Sequence, residues 1–149
     1  MSYKDEMKPV NILFACTQNA VRSVIAEGLL QNRQNPHIAQ IASCGVVAGI
    51  ADGFAMAVMA EAEIDITAHE PVGFELFSAE NFQFIISFSH DADQFVQQWA
   101  STDATRLFWD VHPPIVSESS REETLASYRA LRDEIAGRLD RFLQEYSLS

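Results

Sequence analysis

Lysine and arginine are scarce in this sequence: ten against 21 aspartates and glutamates, a formal net charge of -11. The interval between Arg33 and Arg106 holds ten acidic residues and not one lysine or arginine. A nucleic acid is bound by rows of cations that displace its counterions, so DNA and RNA are excluded as partners. Anionic membrane surfaces are excluded for the same reason. Cysteine is equally rare. Cys16 and Cys44 can form one bridge at most and build no disulfide framework, which points to a cytoplasmic protein with free thiols. No apolar run approaches the ~20 residues of a membrane span, and "MSYKDEMKPV" has no apolar centre of the signal-peptide kind. His37 and His90 show no ligand spacing with each other or with the cysteines, so neither a metal nor another cofactor is expected. Internal repeats, low-complexity tracts and linker-like breaks are also missing. What remains suits a single globular domain spanning 1–149.

Helical and strand patterns alternate along it. "VNILFA" (10–15) is a short apolar run that reads as a buried parallel-type strand. A helical stripe of Val24, Ile25, Ala26, Leu29 and Leu30 follows, from Ser23 to about Asn32. Strands are predicted over 37–43, 82–89 and 105–111, and helices over 52–64 and from an Asp91 cap onward. Met56 and Met59 sit at helical spacing as core or partner-facing residues. The last helix opens with Ser120 and Glu123 in a capping-box pattern and repeats apolar residues from Leu125 to Tyr146. Arg129 with Asp133, and Glu134 with Arg138, are spaced as i,i+4 charge pairs. Alternation of this kind implies βαβ units around a parallel sheet.

Within that frame "ACTQNAVRSVIAEGL" puts Cys16 at the carboxyl end of the first strand and Arg22 and Ser23 at the start of the first helix. Ligands of open α/β sheets bind at the carboxyl ends of strands. Free N–H groups at a helix N-terminus attract anions and favour a thiolate. A thiolate nucleophile, a loop of amides (Thr17, Gln18, Asn19, Ala20, Val21) and a bidentate guanidinium together suit phosphoryl transfer. Ser23 is placed to hydrogen-bond the sulfur, and Asn19 is a residue type that tolerates the left-handed conformation of tight anion loops. The plainer reading has Cys16 as a buried thiol ending a strand.

The C-x5-R-S stretch resembles the signature of the low-molecular-weight protein tyrosine phosphatases and their arsenate reductase relatives. The resemblance continues through "SCG" (43–45), "EIDITAHEP" (63–71), "FQFIISFS" and "SREETLASYRALRDEI", and so covers nearly the whole chain. It implies an α/β domain with a four-stranded parallel sheet and helices on both faces. It further implies Cys16 as nucleophile, Arg22 as phosphate clamp, Ser23 and Asn19 as loop-ordering residues, and His69 as a hydrogen-bonding loop residue. The expected substrate is a phosphorylated protein or small aryl phosphate, with phosphate, sulfate or vanadate as site ligands. A homodimer is left open.

Departures from the family pattern are specific. The family glycine two residues after the cysteine is Gln18, and the proline after Arg-Ser is Val24. The family's general acid is an aspartate in an Asp-Pro pair after the fourth strand, where this chain reads "FWDVHPPIV". Either His112 takes the acid's place before Pro113, or Asp110 reaches in from the strand end. "PPIVSESS" has no counterpart of the aromatic pair that lines the cleft in the animal enzymes. The expected activity is phosphomonoester hydrolysis through a cysteinyl phosphate on Cys16. The alternatives are an oxyanion-binding module with weak or lost chemistry and, disfavoured by the absence of cysteine over 78–100, an arsenate reductase. Cys44 reads as a half-buried apolar residue in a turn, or as a redox partner facing Cys16.

Overall fold

The computed structural model describes residues 8–100 and 103–149; the first seven residues of the polar N-terminal stretch lie outside them. Four strands, β1 (Val10–Cys16), β2 (Ile38–Gly45), β3 (Phe84–Ser87) and β4 (Thr105–Phe108), alternate with helices α1 (Arg22–Asn32), α2 (Gly53–Glu61), α3 (His90–Trp99) and α4 (Arg121–Glu145). Two 3₁₀ turns, Phe74–Leu76 and Ala79–Asn81, precede β3. The sheet is wholly parallel in the order β2-β1-β3-β4.

Parallel strands covered on both faces read as unbroken apolar runs, and Ile12, Leu13, Phe14 and Ala15 of β1 are completely buried. Their alternation feeds two cores. Ile12, Phe14 and Cys16 face α1, α2 and α4, while Leu13 and Ala15 face α3 and the 3₁₀ turns. An aromatic cluster of Phe14, Phe88, Trp109 and Phe142 ties the first core together at centroid distances of 5.7 to 6.5 Å. Met59 is completely buried in it, while Met56 is half-buried.

Several element ends fall short of their sequence-based limits, each for a local reason. α2 stops at Glu61 because Glu63 turns left-handed (φ 62°), and the Glu63 and Ile64 amides close back on the Ala60 and Met59 carbonyls. No glycine marks that stop. β3 covers only Phe84–Ser87. β4 ends at Phe108, because a tight turn from the Val111 amide to the Trp109 carbonyl (2.7 Å) ends the ladder. α3 is capped by Ser89 rather than Asp91, although the Asp91 carboxylate also accepts from the Ala92 amide.

The α4 capping box is half formed. Ser120 Oγ accepts from the Glu123 amide, but the Ser120 amide donates to Ser117 Oγ instead of Glu123. Arg129 does not pair with Asp133. It reaches Glu61 of α2 at 2.9 Å and Glu122 at 2.8 Å, since two carboxylates hold a guanidinium better than one. Hydrogen bonds from Arg129, with Arg132 adding to them, outweigh desolvation and hold the Glu61 carboxyl below its usual pKa. The Glu134–Arg138 pair forms at 3.6 Å.

Candidate active site

β1 leads to β2 on one side and the chain then returns to β3 on the other, so residues 17–21 emerge where the strand order reverses. That position opens a crevice in α/β sheets. The loop is held from outside. The Val46, Val47 and Gly49 amides donate to the carbonyls of Cys16, Thr17 and Gln18 at 2.8 to 3.0 Å. A trans peptide places its N–H opposite its carbonyl, so the Thr17, Gln18 and Asn19 amides turn away from that segment. A Cβ on Gly45 would stand 2.7 Å from the Asn19 nitrogen and 2.8 Å from the Gln18 carbonyl carbon, so only glycine allows this approach. Gln18 needs no left-handed backbone; Asn19 alone in the loop adopts it (φ 54°).

Asn19 is the buried hub. Its Nδ2 donates to Ser23 Oγ (3.0 Å) and Ser43 Oγ (2.9 Å), and its Oδ1 accepts from the Val72 amide (2.9 Å) and His69 Nε2 (3.0 Å). Each serine hydroxyl, already accepting, is left to donate its proton onward. Ser43 gives it to Glu27 Oε1, which His69 Nδ1 faces at 3.7 Å. Ser23 gives it to Cys16 Sγ at 2.9 Å. The sulfur therefore receives a donor fixed two bonds deep in the core, an arrangement suited to a thiolate.

Arg22 enters from the opening turn of α1. Its Nη1 donates to the carbonyls of Phe88 (3.1 Å) and Val111 (2.9 Å), which orients the planar guanidinium and leaves the Nε and Nη2 edge for two oxygens of an oxyanion. α1 is also the one α-helix among the described residues whose N-terminus has no side-chain cap; Asp52, Ser89 and Ser120 cap the others. Its first-turn N–H groups are open to an anion.

These groups line a cavity of about 330 Å³. Cys16, Thr17, Gln18, Ala20, Val21 and Arg22 form one side, and Pro113, Pro114 and Tyr128 the other. Tyr128 donates its hydroxyl to Asp52 Oδ2 at 2.8 Å, and burial, reinforced by that carboxylate, pushes its phenol above the usual value. Thr17 Oγ1 donates to Asp91 at 2.9 Å. Burial raises the Asp91 pKa, but donors from Ser89, Thr17 and Ala92 outweigh it and hold the carboxyl below its usual value. The Thr17 anchor is thus kept at neutral and mildly acidic pH and lost as the pH falls through that depressed value.

Asp110 and His112 are both exposed, and the cavity lining includes neither. Asp110 stands at the apex of the turn between Trp109 and Val111. His112 immediately precedes the lining residue Pro113. Cys44 lies on β2, not in a turn, and is fully buried. It pairs with Ala15 and shares that residue's face of the sheet, opposite to Cys16. Burial, with Cys16 and Glu75 adding to it, drives its thiol far above the ordinary value. Among the described residues no three His, Cys, Asp or Glu side chains cluster to hold a metal.

The structure brings Cys16, Asn19, Arg22 and Ser23, the residues singled out from the sequence, into one loop and helix start. Sequence reasoning missed Asp52, Asp91 and Tyr128, since helix caps and an apolar-stripe tyrosine look the same whether or not they border a cavity. Ser43 had only its place in "ASCG" to signal it.

The family model described as "Low molecular weight phosphotyrosine protein phosphatase" matches residues 11–148. An arsenate reductase of Bacillus licheniformis is 28% identical over 138 residues, which are 93% of this chain and 98% of that one. The solved low-molecular-weight protein tyrosine phosphatase of T. tengcongensis superposes with a TM-score of 0.75 at 20% identity, covering 91% of this chain and 99% of its own. The YwlE arginine phosphatase of Geobacillus stearothermophilus does so with a TM-score of 0.73 at 23% identity, covering 93% and 94%. Other chains of this fold were solved in a phosphate-binding state, with sulphate and with benzylphosphonate.

Proposed function

The chain belongs to the low-molecular-weight phosphotyrosine phosphatase family, and on that premise we propose that it hydrolyses phosphomonoesters, aryl phosphates such as phosphotyrosine first among them. The observation carrying this reading is the Ser23-to-Cys16 hydrogen bond at the floor of a cavity that Arg22 and the uncapped α1 N-terminus make receptive to a dianion. Cys16 Sγ attacks phosphorus, the bond to the leaving oxygen breaks, and that oxygen takes a proton. Water then attacks the phosphocysteine, the P–S bond breaks, and phosphate leaves with the thiolate restored. The Thr17, Gln18 and Asn19 amides and Arg22 hold the equatorial oxygens throughout. The test is Cys16-dependent hydrolysis of an aryl phosphate by the purified protein.

For the leaving-group proton the proposal keeps Asp110 and His112. General acid catalysis is worth about 10²–10⁴-fold and matters most for poor leaving groups. Whichever residue serves, its variant (Asp110→Asn or His112→Ala) slows phenyl phosphate by that factor and leaves a dinitrophenyl ester nearly unchanged. The exposure of both residues favours a second reading, an oxyanion-binding module with little turnover. Calorimetric titration with phosphate reads the two apart: the module binds it in an Arg22-dependent way, with hydrolysis no faster than in Cys16→Ser.

Arsenate reduction is disfavoured by the position of Cys44. Reducing arsenate takes two electrons, supplied when a second thiol attacks the arsenylated cysteine and a disulfide forms. The second thiol of this chain is buried on the opposite face of the sheet. We expect no arsenate turnover with thioredoxin as reductant, measured by arsenite formation; sustained turnover would reverse this reading.

A further inference from the structure

Six large hydrophobic side chains are exposed among the described residues, and four of them belong to the two loops framing the nucleophile cavity. Val47 and Ile50 stand in the segment whose amides hold the Thr17 and Gln18 carbonyls, with Ile50 87% exposed. Ile115 and Val116 directly follow the lining prolines, with Ile115 76% exposed and its amide bonded to Ser127, beside Tyr128. The same surroundings are acidic. Asp91 is bonded to Thr17, Asp52 to Tyr128, and Asp110 is exposed one residue from the Val111 carbonyl that orients Arg22. Arg121 is engaged elsewhere, stacked over Phe54 at 5.4 Å, and Phe54 in turn packs on Tyr128.

Arg22 and the α1 N-terminus answer the charge of a bound phosphate. Residues flanking that phosphate then meet carboxylates and bare aliphatic side chains. We propose that this rim selects a phosphorylated segment of a partner protein in which lysine or arginine and aliphatic residues flank the phosphorylated side chain. The proposal deepens the phosphatase reading and rests on it. Charge complementarity names the occupant. A second copy of this chain would bring another net charge of -11 and the same carboxylates against the rim. Over the Debye length of about 8–10 Å at ordinary salt, carboxylates beside the cavity act on residues next to the phosphate.

The experiment uses three phosphotyrosine peptides, flanked by Lys with Leu, by Glu with Leu, or by Ser with Gly. The expected result is a kcat/KM for the Lys/Leu peptide about tenfold or more above the Glu/Leu peptide, shrinking as salt is raised. The Ile50→Ser/Ile115→Ser double variant raises KM for the Lys/Leu peptide several-fold and leaves p-nitrophenyl phosphate hydrolysis unchanged. Equal or better use of the Glu/Leu peptide overturns the proposal, as does a double variant that handles Lys/Leu like wild type. Self-association that the double variant abolishes, read by sedimentation, overturns it in favour of a second copy. Calorimetric binding of the same peptides to Cys16→Ser reads the rim without turnover. If the wild-type protein hydrolyses none of the peptides and the Lys/Leu preference persists in binding to Cys16→Ser, the phosphatase reading fails and the rim proposal stands.

Discussion

Cys16→Ser should abolish aryl phosphate turnover, by on the order of 10⁴-fold or more if the nucleophile acts as placed. The hydroxyl that replaces the sulfur would meet the same Ser23 donor, the same Arg22 edge and the same α1 N-terminus, so phosphate binding should survive. Serine has no neighbouring base to take its proton here, since Ser23 already donates toward the position and Asn19 donates to Ser23. The variant is close to isosteric, and Cys16 is 98% buried, so folding is expected to be preserved. Steady-state hydrolysis of p-nitrophenyl phosphate alongside calorimetric phosphate binding reads both halves of the expectation. Wild-type activity that persists in Cys16→Ser would place the chemistry elsewhere.

Asn19→Ala should be the most damaging single change to the loop. It removes four hydrogen bonds at once and leaves Ser23, Ser43, His69 and the Val72 amide to find other partners in a buried setting. Each buried polar group left unpaired costs about 1–3 kcal/mol. Alanine at φ 54° adds about 1–2 kcal/mol of backbone strain. A loss of several kcal/mol is a large share of the ~5–15 kcal/mol that typical domains possess. A fall of ~10 °C or more in the melting temperature is expected. Asn19→Gly separates the causes, because it removes the strain and keeps the hydrogen-bond loss. It should recover only the backbone share of the stability and little of the activity, since Ser23 is still without the donor that directs its proton to Cys16. Full recovery of activity in Asn19→Gly would show that backbone shape alone sets the site.

The sheet was legible in the sequence because both faces of a parallel strand are buried, so β1 from Ile12 to Cys16 appears as an unbroken apolar run. The C-x5-R-S spacing was legible because strand, loop and helix are consecutive: a thiol at a strand end and an arginine opening the next helix are local facts. Asn19 as the left-handed residue followed from its side chain, and the structure puts it there rather than at Gln18. Element ends were less readable. The α2 stop rests on a glutamate in a conformation that glycine usually supplies, and β4 ends in a turn that no turn-forming residue pair announces.

Everything that crosses between elements was decided by the tertiary structure. Arg129 chose Glu61 on α2 over Asp133 on its own helix because folding brought two carboxylates within reach. Cys44 was removed from redox contact with Cys16 by register, since pairing with Ala15 turns its side chain to the other face of the sheet. The sequence by itself determined that Cys16, Asn19, Arg22 and Ser23 stand together at the end of β1, because their spacing is that of one strand-loop-helix unit. Which residues wall the cavity, and that Asp110 and His112 stand outside its lining, depended on where the distant loop at 110–116 and α4 come to rest. Packing across some hundred residues of chain sets that position, and no local pattern records it.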